Sequence, residues 1–367
     1  MSLTRVHKSL AEGFEDGPGG GGGYNHNILI NPTFTVKQYG DVIQHEGEKF
    51  FGPDRWRIRG VGGTGGTLSQ SSTVIDDVTG ANKLFVENPG ATDSSYLYQL
   101  IEAVNVQGLY GKEMTFSFSY SATGGAGSPI VRIRSYDSLD VSKTLFEAVP
   151  TDLGDNRWTC KFTLSTDDGS IPEPSEKGLQ VLIYPNEMNA APSKWYVWET
   201  KLEVGSTATP FIARQYGEEL ALCQRYYTYH PSGMNIHAFM YSSVINIAEV
   251  IFPTTMRASP TVTFSTESTP SSSIISSVMG LIGIYSGTSG VNSVIKSYTA
   301  AAELYDEAVD ITEAQYTTDL DGRNVSVQAV IDGQELSVPM DTRNQHYKEI
   351  LRQTEAKTLV IKKGGHI

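Results

Sequence analysis

Seven histidines are the first residues to test for chemistry, because an imidazole either ligates a metal or moves a proton near neutral pH. His7, His26, His45, His230, His237, His346 and His366 are scattered, and none falls in an HxH or HExxH spacing that would turn two ring nitrogens onto one ion. They read as dispersed surface residues. Asp319-Leu-Asp-Gly-Arg-Asn324 copies the first half of a calcium loop, yet Ala329 and Val330 stand where the closing bidentate carboxylate belongs, so the stretch reads as a turn. Asp76-Asp77, Asp137, Asp140 and Asp167-Asp168 are the acids that a single structural calcium would use, but adjacent acids in turns are ordinarily solvated. No metal and no cofactor is expected.

Glycoside hydrolysis would need two carboxylates roughly 5 to 9.5 Å apart across a sugar. Sequence alone leaves such a pair open, but the long repeats of a β-helical depolymerase are missing. Nor is there a nucleophile elbow, a phosphate-cradling loop or a Ser/His/Asp constellation. The reading is therefore a binding protein, not an enzyme. Sugar recognition asks for flat aromatic faces against the apolar side of a pyranose, with arginines, amides and carboxylates reading the hydroxyls. Trp56, Trp158, Trp195, Tyr96, Tyr98 and Tyr136 supply rings, and Arg55, Arg57, Arg132 and Arg134 supply donors. Trp56 begins a short strand and reads as core. Trp195, just after Pro192-Ser-Lys194, together with Tyr96, Tyr98, Tyr136, Arg132 and Arg134, forms the expected carbohydrate-contacting set.

The formal charge of −13, with no basic cluster longer than Lys362-Lys363, opposes a grip on a phosphate backbone, so nucleic acid is not an expected partner. No stretch approaches the roughly 20 apolar residues of a membrane span, and the Met1 end lacks the layout of a secretory signal. Folding in the cytoplasm is expected. Cys160 and Cys223 lie too far apart in sequence for a disulfide framework or a metal motif and read as buried free thiols. Only 19% of residues are charged, while Gly (36) and Tyr (19) are abundant, a composition that suits turn-rich β structure and sets the fold class as all-β.

The elements that must position these residues follow from periodicity. Residues 1–26 hold a short arm, with Leu3, Val6, Leu10 and Phe14 at helix-like spacing, and then a glycine tract broken only by Pro18, which reads as a tether. The four apolar residues are the expected anchor to a larger assembly. Met114, Phe116, Phe118 and Tyr120 alternate with Thr115, Ser117 and Ser119. Val131 and Ile133 alternate with Arg132 and Arg134, and Leu179, Val181 and Ile183 with Gln180, Leu182 and Tyr184. Tyr196, Trp198, Leu202 and Val204 are expected to share one face of the last strand. Many such strands joined by Gly124-Gly125, Asp155-Asn156 and Pro185-Asn186 predict a sandwich over 27–213.

Tyr216, Leu220, Cys223 and Tyr227 recur at i, i+4, i+7 and i+11, which predicts a linking helix of about three turns over 214–229 whose apolar stripe must be covered. The stripe is read as an oligomer interface, with packing within one chain as the alternative. A second β module is expected over 230–312, and 313–367 carries a hairpin with Asp332-Gly333 at its turn, then a helix capped by Asp341 with Tyr347, Ile350, Leu351 and Thr354 on one side.

Several stretches carry a resemblance. The run Tyr216-Gly-Glu-Glu-Leu-Ala-Leu-Cys-Gln-Arg-Tyr-Tyr227, followed by Phe252-Pro-Thr-Thr-Met-Arg-Ala-Ser-Pro-Thr-Val262, resembles a junction in bacteriophage and prophage tail-fibre and receptor-binding proteins. Asn27-Ile-Leu-Ile-Asn-Pro-Thr-Phe34, Asp54-Arg-Trp-Arg57 and Glu199-Thr-Lys-Leu-Glu-Val-Gly-Ser-Thr-Ala-Thr-Pro-Phe211 look like the opening, the early tryptophan and the closing strand of galactose-binding-like, carbohydrate-binding jelly rolls in such proteins. The similarity spans 27 to about 265 and lies in the motifs rather than between them. It implies a jelly-roll sandwich, a homotrimer, a place in a virion tail, tail or baseplate proteins as partners of the arm, and host surface polysaccharide as the target. A head fibre on the capsid is the rival implication, and a polysaccharide-degrading tailspike a more distant one.

Overall fold

The computed structural model describes residues 26–38, 42–44, 53–61, 70–75, 82–88, 94–137, 143–165, 177–186, 193–230, 236–237, 239–242, 245–266, 272–286, 294–302, 311–318, 322–331 and 333–363. Leu3, Val6, Leu10, Phe14, the glycine tract and the side chains of the acids at 76, 77, 137, 140, 167 and 168 lie outside them.

The sandwich is made by β1 (Val42–Gln44), β2 (Trp56–Val61), β3 (Gln70–Ile75), β4 (Asn82–Asn88), β5 (Ser94–Ile101), β6 (Glu113–Thr123), β7 (Pro129–Asp137), β8 (Lys143–Ala148), β9 (Thr151–Asp152), β10 (Arg157–Thr163), β11 (Lys177–Pro185) and β12 (Ser193–Val204). One antiparallel sheet runs β1-β3-β4-β12-β6-β10-β9, and the other runs β2-β5-β11-β7-β8. The chain is all-β, and this unit is a jelly-roll sandwich. Alternation does what it predicts: Met114, Phe116, Phe118, Val131, Ile133, Val181 and Ile183 close one shared core. The two sheets meet directly where Phe146 of β8 stacks on Phe162 of β10 at 5.0 Å. Each large side chain so buried contributes roughly 1.5–3 kcal/mol relative to exposure.

In β12 the expected face is wrong. The pairing of β12 with β6 slips between Trp198 and Lys201, and Glu199 takes a φ of 49°, so a bulge changes the parity of the strand. Trp195 and Val197 point into the core before the bulge and Leu202 after it, leaving Tyr196 and Trp198 on the outside.

The remaining strands are β13 (Tyr227–His230), β14 (Ile236–His237), β15 (Phe239–Ser242), β16 (Ile245–Ile251), β17 (Thr261–Thr266), β18 (Ser272–Ser277), β19 (Gly280–Ser286), β20 (Val294–Ala301), β21 (Ile311–Thr318), β22 (Asn324–Ile331), β23 (Gln334–Pro339) and β24 (Ile361–Lys362). A four-stranded sheet orders β15-β16-β19-β18. The larger sheet runs β13-β20-β17-β23-β22-β21-β24, with β14 also on β20, so strands from 230–312 and from 313–367 share it. The hairpin forms as its Asp-Gly turn predicts, with Gly333 at a φ of 77°.

Among the described residues the α-helices are α1 (Ala103–Val106), α2 (Tyr216–Gln224) and α3 (Gln345–Glu355). Asn344, not Asp341, caps α3, its side chain accepting from the Tyr347 amide at 3.1 Å. Asp341 accepts instead from the Ser259 and Arg343 amides, which ties the turn before α3 to the connection leading into β17. Tyr347 and Ile350 face the core, whereas Leu351 is exposed.

Helix α2 is shorter than expected and buries a different face. It stops at Gln224, and Tyr227 already belongs to β13. Its buried residues are Glu219 and Cys223. Glu219 receives the Asn31 amide and pairs with Arg214 at 3.1 Å, so a carboxylate and not a leucine fastens the helix to the opening of the sandwich. Cys223 and Tyr227 are buried inside this chain; Leu220 is half-buried, and Tyr216 is 59% exposed. Packing within one chain thus takes up part of the stripe that was read as an oligomer interface.

Candidate functional site

Strands β5, β11 and β7 each send alternate side chains away from the core, and in register these outward residues make a continuous surface. Tyr98 pairs with Leu182, and Leu182 with Arg132; one step along, Leu100 pairs with Gln180, and Gln180 with Arg134. Across the next pair of strands, Arg132 faces Glu147 of β8. Tyr96 and Tyr184 lie two residues further along β5 and β11 on the same side. A two-residue period on three adjacent strands is sufficient to bring these groups together.

One end of the face is roofed. Tyr226, in the turn after α2, packs on Tyr98, Leu100 and Leu182, with Ile30 and Tyr96 at the margin. Arg55 lies over the Tyr226 ring at 3.5 Å and donates to the Leu100 carbonyl at 2.6 Å. Tyr98 is fully buried, with Arg57 5.9 Å from its ring centre. The open end keeps Tyr96, Tyr184, Arg132 and Arg134 half-buried and Glu147 exposed.

Here the side chains hold one another in place. Arg132 donates from Nε to the Glu147 carboxylate, the Tyr184 hydroxyl donates to the other oxygen of Glu147 at 3.2 Å, and the Arg132 guanidinium stands 5.1 Å from the Tyr184 ring centre. The hydrogen bond from Arg132 holds the Glu147 carboxyl below its ordinary range, and it raises Arg132 in turn. Burial pushes the Tyr184 phenol up. Arg134 is treated differently. Burial, then the neighbouring charge of Arg132, lowers it, and its Nε is buried without a hydrogen-bond partner among the described residues. Chemically the described residues of this surface offer rings for stacking, two planar donors and one acceptor, and among them no pair of carboxylates is poised across a bond.

Of the expected contact residues, Tyr96, Tyr98, Arg132 and Arg134 therefore share one face. Tyr136 is on β7 too, but its side chain lies outside the described residues. Trp195 does not belong there. It is fully buried, 6.3 Å from Tyr120 in the core and on the opposite sheet, because its position in β12 has inward parity. Its place after a Pro-Ser-Lys turn says nothing about which side of the sheet it faces. Tyr184 and Glu147 were missed. Tyr184 was legible as an outward residue of an alternating strand, whereas Glu147 needed the β7–β8 register.

A second group of rings stands outside the other sheet, where Phe85 and Tyr196 are 5.1 Å apart. There Lys83 sits 4.2 Å over the Trp198 ring, and Lys194 lies over Phe85 while pairing with Glu87 at 3.5 Å. On that surface Arg157 is turned onto the Ser117 and Ser119 hydroxyls and the Glu199 carbonyl, and among the described residues no tyrosine hydroxyl bonds a carboxylate there. Among the described residues no three His, Cys, Asp or Glu side chains group as metal ligands, and no helix is long and apolar enough to cross a membrane.

No family model and no curated relative matches the sequence. Solved structures do. The enzymatically active domain of tailspike protein 4 of bacteriophage CBA120 aligns with 49% of this chain at 10% identity and a TM-score of 0.28, over only 21% of its own length. The C-terminal family 22 carbohydrate binding module of Clostridium thermocellum Xyn10B aligns with 42% of this chain, over 89% of its own, at 14% identity and a TM-score of 0.26. The xylan-binding module CBM15 aligns with 46% of this chain, over its full length, at 14% identity and a TM-score of 0.27. Similarity at this level transfers no ligand to the present chain.

Proposed function

We propose that the outer face of the five-stranded sheet binds glycan at the host surface and that the chain is a tail-fibre or receptor-binding protein of a virion. The observation that carries glycan binding is the juxtaposition of Tyr96 and Tyr184 with Arg132, Arg134 and Glu147 on one open surface. A pyranose presents an apolar face to a ring and hydroxyls at its rim, and this surface offers both kinds of contact side by side. The Arg132–Glu147–Tyr184 triangle fixes its donors before ligand arrives, which cuts the ordering cost of binding.

The virion role rests on the tail-fibre-like motifs around 216–227 and 252–262, with the 1–26 arm as the attachment to tail or baseplate partners. Three copies in a fibre, and several fibres on a particle, would turn weak sites into firm adhesion. The test is retention of the purified chain on host surface polysaccharide, with Tyr184→Ala and Arg132→Ala alongside. Retention that drops at least about tenfold in both variants is the expected result. Shortening of the polysaccharide during incubation would replace the adhesin reading with an enzymatic one, and unchanged retention in both variants would move the site elsewhere.

A further inference from the structure

Resting on the glycan reading of this same face, we infer that its preferred ligand is an acidic saccharide, a uronic or sialic acid type of residue whose carboxylate docks on Arg134. The charge balance of the face points this way. Arg132 and Arg134 stand on it in register, and Glu147 is the described acid beside them. Glu147 is already engaged twice, by Arg132 and by the Tyr184 hydroxyl. Arg134, one register step from Arg132, has no carboxylate at ion-pair distance among the described residues, and its Nε is buried and unbonded.

The half-buried Arg134 guanidinium carries a charge that no described carboxylate balances, and an arriving carboxylate would meet its accessible edge with a charge-assisted hydrogen bond. Arginine suits this better than lysine, because the planar fork meets two carboxylate oxygens at once. The setting sharpens the effect. On a chain of net charge −13, an acidic polymer is repelled nearly everywhere, so a positive patch beside the two tyrosines fixes where and in what register it binds. A neutral sugar could stack on the rings without engaging the Arg134 charge; an acidic one also pairs with it.

A glycan microarray printed with acidic saccharides and their carboxyl-reduced counterparts tests this with the whole chain. Expected is a preference of about tenfold or more for the acidic member of each pair, diminished by salt, as a charge-assisted fork implies. Arg134→Gln should bring the acidic-to-reduced ratio down to about one, whatever it does to overall retention, and Arg134→Lys should keep only part of the preference. Equal binding of acidic and reduced members by the unaltered chain overturns the acidic inference and leaves glycan binding standing. Binding to no member overturns the glycan reading itself. The ratio in the unaltered chain needs no variant, so poor folding of Arg134→Gln cannot obscure the result.

Discussion

Glu102 and Arg257 form an ion pair at 2.9 Å between the sandwich and the β module that follows it. The Glu102 side chain is buried and that of Arg257 is 9% exposed, and the same carboxylate takes Arg225, at the end of α2, at 3.1 Å. Around this contact the backbone is also shared: the Arg257 amide donates to the Arg225 carbonyl at 2.8 Å, and the Ala302 amide donates to the Tyr226 carbonyl at 2.7 Å. The turn after α2 is therefore clamped from both sides, and it is this turn that lays Tyr226 on the proposed glycan face.

Removing the clamp should be expensive. Glu102→Gln strands Arg257, whose remaining acceptors are the Ala302 and Arg343 carbonyls, and should cost about 3 kcal/mol, the lower end for breaking a buried pair. Chemical denaturation followed by intrinsic fluorescence would show it. A loss below about 0.5 kcal/mol would mean that the pair behaves as a surface contact.

Tyr184 and Trp195 should separate binding from stability. Tyr184→Phe keeps the ring and loses the bond to Glu147, so glycan retention should fall only a few-fold, against about tenfold for Tyr184→Ala. Trp195→Ala opens a hole in the core and should cost roughly 3–5 kcal/mol, with binding intact in whatever fraction stays folded. Selective loss of binding in a stable Trp195 variant would contradict the inward placement.

His346 sets an acid limit. Its ring is buried against Thr261, with Nδ1 2.9 Å from Oγ1, and burial lowers its pKa from 6.5 to about 4. The unfolded chain therefore takes up this proton at a higher pH than the folded one, so its effect on stability is a loss as pH falls from about 6.5 to about 4, levelling off below. Melting curves across that range should show the slope, and His346→Gln should flatten it. An unchanged slope in the variant would assign the effect to other groups.

Cys160 and Cys223 are both buried, and burial pushes the Cys160 thiol up to about 12. Neither should react with iodoacetamide under native conditions, and both should react in denaturant, as intact-mass measurement would show. Modification of the native chain would mean that one of them becomes accessible.

Much of the architecture is legible in the residues themselves, since a two-residue period decides which side chains share a face once a strand exists. That holds for Met114 through Tyr120, for the Val131–Arg134 alternation and for the hairpin at Gly333, where local sterics and alternate burial leave little choice. Where local rules compete, the chain alone is silent. The bulge at Glu199 reversed the outer and inner sets of β12, and α2 ended early because Tyr226 and Tyr227 gain more by entering the turn and β13 than by prolonging a helix stripe. The candidate site divides along the same line. Rings and arginines of the right kind were visible as types, and the outward parity of Arg132, Arg134 and Tyr184 was visible as pattern. That Tyr98 is roofed, that Glu147 belongs with Arg132 and that Trp195 faces the other way depend on strand order and register, which join residues 15 to 128 positions apart and so leave no trace in a local window.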